Sequence, residues 1–228
     1  MSQLSPKPVQ FKFGEYISQA IDLMKKDFGT IFLSFLCTIV LSIIPFCGLM
    51  AVGNFYKICY KIEKGIPTGA GEIFNFDDFV PYLIFQLYIF AGLILLFIPF
   101  GVFSITIDND GMISGLARGI GMIFLAVVYF AILYVLLQAF YVPALITFKK
   151  ITDIKTAWNI SKIMTKGNLL TIFFFSIATA FLGELGIILC GIGIFLTLPF
   201  INVSHYFAFK DGLAQIEHDE LTEIGKKY

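Results

Sequence analysis

Glu184 is the residue whose type and setting most invite chemistry, because it places a carboxylate inside the otherwise apolar run 169–200. An acidic side chain at the centre of a bilayer costs on the order of 2.5 kcal/mol or more on insertion scales, so it turns toward other helices, water or an interface. Three roles are open to Glu184: a solvated carboxylate at the outer interface, a buried structural partner of Arg118, the sole arginine, or a proton or cation relay. Gln138 and His205, with Gln86, Asn54 and Asn202, add polar groups within apolar stretches. Hydrogen bonds between helices account for such groups without invoking transport. Glu184, Arg118, Gln138 and His205 are therefore the candidate functional residues.

Other constellations point away from catalysis. His205 and His218 are the two histidines, and neither lies in an H-E-x-x-H or a Cys/His ligand spacing, so no metal or cofactor is expected. Gly119-Ile120-Gly121 and Gly191-Ile192-Gly193 lack the third glycine and the strand context of a dinucleotide loop. Asp108-Asn109-Asp110-Gly111 has the look of a calcium loop, but Thr106 and Ala117 stand where its first and twelfth ligands require acids. Asp77 and Asp78 immediately precede an apolar segment, where carboxylates satisfy free N–H groups and favour the positive end of a helix dipole, so both are expected to cap. Of the four cysteines, Cys47 and Cys190 fall at predicted outer turns and are expected as separate thiols. No nucleophile and base stand together, so the chain is not expected to be an enzyme.

The elements that position these residues follow from the distribution of apolar and basic residues. A chain with 58% hydrophobic and 14% charged residues and a mean hydropathy of +0.87 has too little polar surface to coat a soluble globule of its size. A net charge of zero argues against nucleic-acid binding. Apolar segments at 31–46, 48–60, 82–103, 119–148, 169–189 and 193–209 predict an all-α, polytopic membrane bundle of about six transmembrane helices. With six spans, the lysines before the first, after the second, between the fourth and fifth and after the sixth all share one side. The opposite side receives loops without lysine, which places both termini in the cytoplasm of a prokaryotic cell bounded by this inner membrane. Reading 31–60 as one long helix would invert every later loop, so a hairpin turning near Pro45-Phe46-Cys47-Gly48 is expected. Residues 1–10 form a polar cytoplasmic segment without signal-peptide character, 11–212 the integral domain, and 213–228 a cytoplasmic tail.

Two stretches differ from the spans. Phe13–Phe28 places Ile17, Ala20, Ile21, Met24 and Phe28 on one helical face, and 154–166 does the same with Ile154, Ala157, Trp158 and Met164, with Thr152 available as an N-cap. Each leads into an apolar hairpin whose turn contains Cys-Gly, a pattern that suggests a parallel internal repeat. Both amphipathic helices suit the cytoplasmic interface, as lipid-facing segments or as caps on the bundle. Small-residue spacings at 115–121 and at Ser176/Ala180 suit close helix packing, within one chain or in a homo-oligomer. Pro99 and Pro143 are expected to kink their helices.

Several of these segments carry a family resemblance. Ile44-Pro45-Phe46-Cys47-Gly48, the acidic and aromatic stretch 72–79, Phe140-Tyr141-Val142-Pro143-Ala144, and Leu189-Cys190-Gly191-Ile192-Gly193 with the following run to Asp211-Gly212 are the residues concerned. They resemble an uncharacterised family of prokaryotic multi-pass membrane proteins carrying a domain of unknown function. They also resemble the related membrane domain fused to some glycerophosphodiester phosphodiesterases. The resemblance implies a helical bundle; the phosphodiesterase activity belongs to a domain that this sequence does not contain. The functional expectation is a noncatalytic scaffold or accessory subunit in contact with the lipid bilayer and with a membrane-protein partner. The alternative is a small solute or ion transporter or channel.

Overall fold

A computed structural model describes residues 4–109, 115–188 and 193–217, with the backbone alone for 95–109, 115–118, 120, 187–188, 194 and 196. The described residues are all-helical apart from one isolated antiparallel bridge between Leu4 and Glu217. The helices are α1 Phe13–Lys26, α2 Phe28–Ser42, α3 Gly48–Lys64, α4 Phe79–Asn109, α5 Gly115–Gln138, α6 Val142–Lys149, α7 Ile154–Met164, α8 Leu169–Glu184, α9 Gly193–Thr197 and α10 Pro199–Ile216. A short 3-10 turn, Ala70–Phe74, packs on α2 and α3.

Local chemistry sets the breaks. The Asp27 carboxylate accepts the Thr30 N–H at 3.1 Å and starts α2 one residue after α1 ends. The chain turns at 43–47, with Phe46 at φ 66°, and α3 returns against α2, the hairpin expected at Pro45–Gly48. Gly65 ends α3 at φ 68°, a left-handed conformation that frees the Ile66 N–H to reach back to the Lys61 carbonyl at 2.9 Å. Asp153, not Thr152, caps α7: its carboxylate accepts the Thr156 N–H at 3.0 Å, one residue closer to the helix than the expected cap.

Pro143 interrupts the helical ladder, because proline removes an N–H and fits best in a first turn, yet Gly121–Lys149 still runs on as one apolar stretch across the interruption. Residues 139–141 form a turn before α6, and Ser161 of α7 fills it: the Ser161 hydroxyl donates to the Gln138 carbonyl at 2.6 Å and accepts the Tyr141 N–H at 3.1 Å. Pro199 likewise opens α10 after a break at Leu198. The α4 backbone runs through Pro99 without an assigned break.

The core gathers around α10, which contacts α1, α3, α6 and α8. Tyr16, Phe55, Phe175 and Tyr206 are fully buried there. The buried face of α1 is Tyr16, Ala20 and Leu23, flanked by Ile17 and Met24, whereas Ile21 and Phe28 are 42% and 39% exposed. The face is rotated from the expected one because α1 lies on α10, where the Tyr16 hydroxyl donates to Asp211 at 2.6 Å. Helices also approach closely at Gly53 against the Tyr82 ring and at Gly212 against the Tyr141 ring, where any Cβ would overlap the aromatic atoms. Gly119, in the small-residue stretch 115–121, faces open space.

The order amphipathic helix, arm, arm recurs in α1–α3 and α7–α10, but docking differs. The helix α1 lies on α10, while the main neighbour of α7 is α6. Among the described residues, one stretch, Gly121–Lys149, is long and apolar enough to cross a membrane. The α7 and α8 pair passes the same test only together, bent by 98°. Phe28–Ser42 and Phe79–Ile94 are shorter apolar helices.

Candidate functional site

Three environments hold the functional side chains, and the first is a belt of ion pairs at one end of the molecule. Asp78, with its side chain 9% exposed, receives Lys57 at 2.7 Å and Lys150 at 2.8 and 2.7 Å on its two oxygens. It thus joins α3, the start of α4 and the end of α6; it stands immediately before α4, where its carbonyl accepts the Tyr82 N–H at 3.3 Å, and its carboxylate serves the two lysines. The neighbouring Asp77 accepts a hydrogen bond from the Asn75 amide at 2.9 Å within its own loop. Asn54 pins that loop to α3 by donating to the Ile73 and Asn75 carbonyls at 3.0 and 2.6 Å. Burial alone would raise the Asp78 carboxyl, but hydrogen bonds and charge from Lys150 and Lys57 hold it below its ordinary value of 3.8. Glu63 is likewise held below 4.5 against its burial, by Lys210 and by the Tyr206 hydroxyl at 2.6 Å.

The belt continues onto both ends of the described chain. Lys12 meets Asp211 at 3.2 Å, and Lys149 pairs with Glu217. The extended segment before α1 is laced to the end of α10: Ser5 N–H donates to the Ile216 carbonyl at 2.8 Å, and Gln10 and Gln215 exchange two bonds of 2.8 and 3.0 Å. Val9 N–H bonds the Met164 carbonyl at 3.0 Å, and the Asn168 amide bonds the Val9 carbonyl.

The second environment is aromatic. His205 lies among Phe140, Phe175 and Phe209 at centroid distances of 5.5, 5.6 and 6.1 Å, and its buried Nε2 has no hydrogen-bond partner among the described residues. Gln138 is also buried and stands two residues before Phe140. Glu184 is exposed at the end of α8, nine residues beyond Phe175 and so about 13 Å along the axis from the His205 cluster. Arg118 begins α5, about 30 Å along the helix from Gln138, and its side chain is outside the described residues, as are Asp110, Cys190 and His218. His205 thus sits within the aromatic cluster, Gln138 is buried on the adjoining end of α5, where its backbone carbonyl accepts from Ser161, and Glu184 is exposed apart from both. Cys37, Cys47 and Cys59 are free thiols. No group of three or more His, Cys, Asp or Glu side chains among the described residues is arranged to hold a metal.

The third environment is an apolar crevice of about 610 Å³ between α4 and α5, floored by the first turn of α7. Phe85, Ile89 and Leu93 line one wall, Ile132 and Val135 the other, and Lys155 and Trp158 the floor. No family model, curated protein or solved structure matches this chain. Its chemistry is therefore read from the side chains themselves. Sequence reasoning missed two features of these environments: the Asp78 hub, whose signal was an acid placed at the start of a long apolar run, and the crevice, signalled only by Trp158 and Lys155 beside long apolar runs.

Proposed function

We propose that this chain is a multi-pass integral protein of a prokaryotic cytoplasmic membrane, with both termini cytoplasmic, acting as a noncatalytic scaffold or accessory subunit of a membrane complex. The observation that carries the reading is the exposure of the central helices: the most apolar window of Gly121–Lys149 is only 11% buried. Ile123, Val127 and Phe130 are 67%, 61% and 65% exposed, and Val80, Leu87 and Tyr88 of α4 are similarly bare. A soluble monomer does not leave such a surface to water; lipid or another apolar protein surface covers it.

In this reading α4 and the α5–α6 rod cross fully, and the two hairpins supply the remaining passes of a six-span bundle. Arms of 15 to 17 residues in α2, α3 and α8 extend only about 22 to 26 Å, short of a hydrocarbon core of about 30 Å. The hairpins therefore sit toward the cytoplasmic leaflet or thin the bilayer locally. The ion-pair belt at one end supports a single aqueous face for the lysines, and the side-chain-filled aromatic cluster around His205 supports a packing role over a conduit.

Orientation is tested by single cysteines in a cysteine-free background. Asn109→Cys reacts with an impermeant thiol reagent in intact cells and Lys155→Cys does not; the converse pattern reverses the topology. Function is tested by reconstitution in liposomes alongside extraction in mild detergent. The expected result is no ion flux and retention of a stoichiometric protein partner. Flux that falls in Glu184→Gln would instead establish the transporter reading, because an exposed carboxylate with a purely structural role does not set a transport rate.

A further inference from the structure

We propose that the α4–α5 crevice holds one phospholipid with an anionic head group, its acyl chain between the helices and its head group at Lys155. The inference rests on the membrane reading above. The cavity, about 610 Å³, falls in the range of sites that enclose a ligand of lipid-chain size, and its walls are apolar along both helices. Lys155 is the one charged residue lining it, and it stands at the end where the chain gathers its lysines.

The charge at Lys155 is available. Lys57, Lys149, Lys150 and Lys210 are each joined to a carboxylate, whereas Lys155 has none within ion-pair distance among the described residues. The nearest acid in sequence, Asp153, feels the Lys155 charge but forms no ion pair with it; its carboxylate is bonded to its own helix, accepting from the Thr156 N–H at 3.0 Å and from the Thr156 hydroxyl. Trp158 lies one turn beyond Lys155 on the same floor, an amphipathic ring suited to head-group depth. A cation at one end and hydrocarbon elsewhere is the complement of an anionic amphiphile. A transmembrane helix from a partner would match the walls but not the isolated ammonium.

Trp158 is the sole tryptophan, so it reports directly on the crevice. The experiment reconstitutes the full chain in bilayers containing phosphatidylglycerol or phosphatidylcholine with brominated acyl chains, and follows quenching of Trp158 fluorescence. Wild type should reach half-maximal quenching at about fivefold lower mole fraction of the anionic lipid, the contribution expected of one lysine near an anionic surface. Lys155→Gln should abolish that preference while both lipids still quench. Gly92→Leu should weaken quenching by both, since Gly92 lines the crevice and a Cβ there meets nothing within 4 Å, so the added side chain takes up crevice space.

Equal quenching by the two lipids in wild type, or quenching unchanged in Gly92→Leu, overturns the proposal while leaving the membrane reading intact. Protection of Trp158 from both lipids by a co-purifying membrane protein also overturns it and assigns the crevice to that partner. A chain that fails to float with liposomes, and stays in solution without detergent, defeats the membrane reading and this proposal with it.

Discussion

Replacing Asp78 by asparagine keeps the side chain's shape and removes the charge that two ammonium groups share. Breaking a fully buried ion pair from one side costs about 3–5 kcal/mol, and an exposed pair contributes about 0–1. The Lys57 side chain is 26% exposed and that of Lys150 57%, so Lys57 lies between those limits and Lys150 near the lower one. The sum is about 2–3 kcal/mol for Asp78→Asn, of which Lys57 accounts for most. For a chain of 228 residues that is a fall in melting temperature of roughly 4–12 °C. Thermal unfolding in mild detergent at low salt, read by Trp158 fluorescence, measures it. Lys57→Met should cost more than Lys150→Met, and Asp78→Asn combined with Lys57→Met should cost less than the sum of the two, because removing the lysine removes the stranded charge. An Asp78→Asn variant melting within about 1 °C of wild type would refute the reasoning, as would equal costs at the two lysines.

Close approach at Gly53 predicts that Gly53→Ala, which drives a methyl group into the Tyr82 ring, costs about 1–3 kcal/mol. Gly29→Ala, where a Cβ meets nothing within 4 Å, is neutral or stabilises by a few tenths of a kcal/mol; chemical denaturation of both variants checks the pair. Acid should unfold the belt in a narrow window. Asp78 and Glu63 have folded values below 3.8 and 4.5, so their stabilisation is complete above those values and is lost as pH falls through the depressed ones. These two groups should therefore contribute a decline in stability below about pH 4, and Asp78→Asn should remove part of that decline.

Helix starts were legible where a short-range signal marks them. The amphipathic pattern beginning at Phe13 and Ile154 and the Pro45–Gly48 turn each depend on residues within one or two helical turns of each other. The Asp78 hub was not legible, because its partners lie 21 residues before it and 72 after it, and only the packing of α3, α4 and α6 decides that those lysines converge. The α1 face was misplaced for a different reason. Counting apolar residues favours Ile21 and Phe28 over Tyr16, yet tyrosine buries its ring while its hydroxyl finds Asp211, and that bond selects the face. The crevice escaped because an apolar position reads the same whether it meets protein, lipid or a gap. Of the candidate residues, the sequence supports a polar outer position for Glu184, and the structure leaves it exposed and apart from Gln138 and His205.

The segment before α1 binds partners that do not yet exist when it leaves the ribosome. Gln10 and Gln215 are 205 residues apart, and at roughly 5–20 residues per second about 10 to 40 seconds of synthesis separate them. During that interval Val9 gains its partners first, at Met164 and Asn168, while Tyr16 still lacks Asp211 and Gln10 still lacks Gln215. Docking of Ser5 and Gln10 on Ile216 and Gln215 consequently waits for the end of α10 to be made. A chain interrupted before α10 leaves Ser5, Gln10 and Tyr16 without the partners that hold them, so the two ends of the described chain are secured together or not at all.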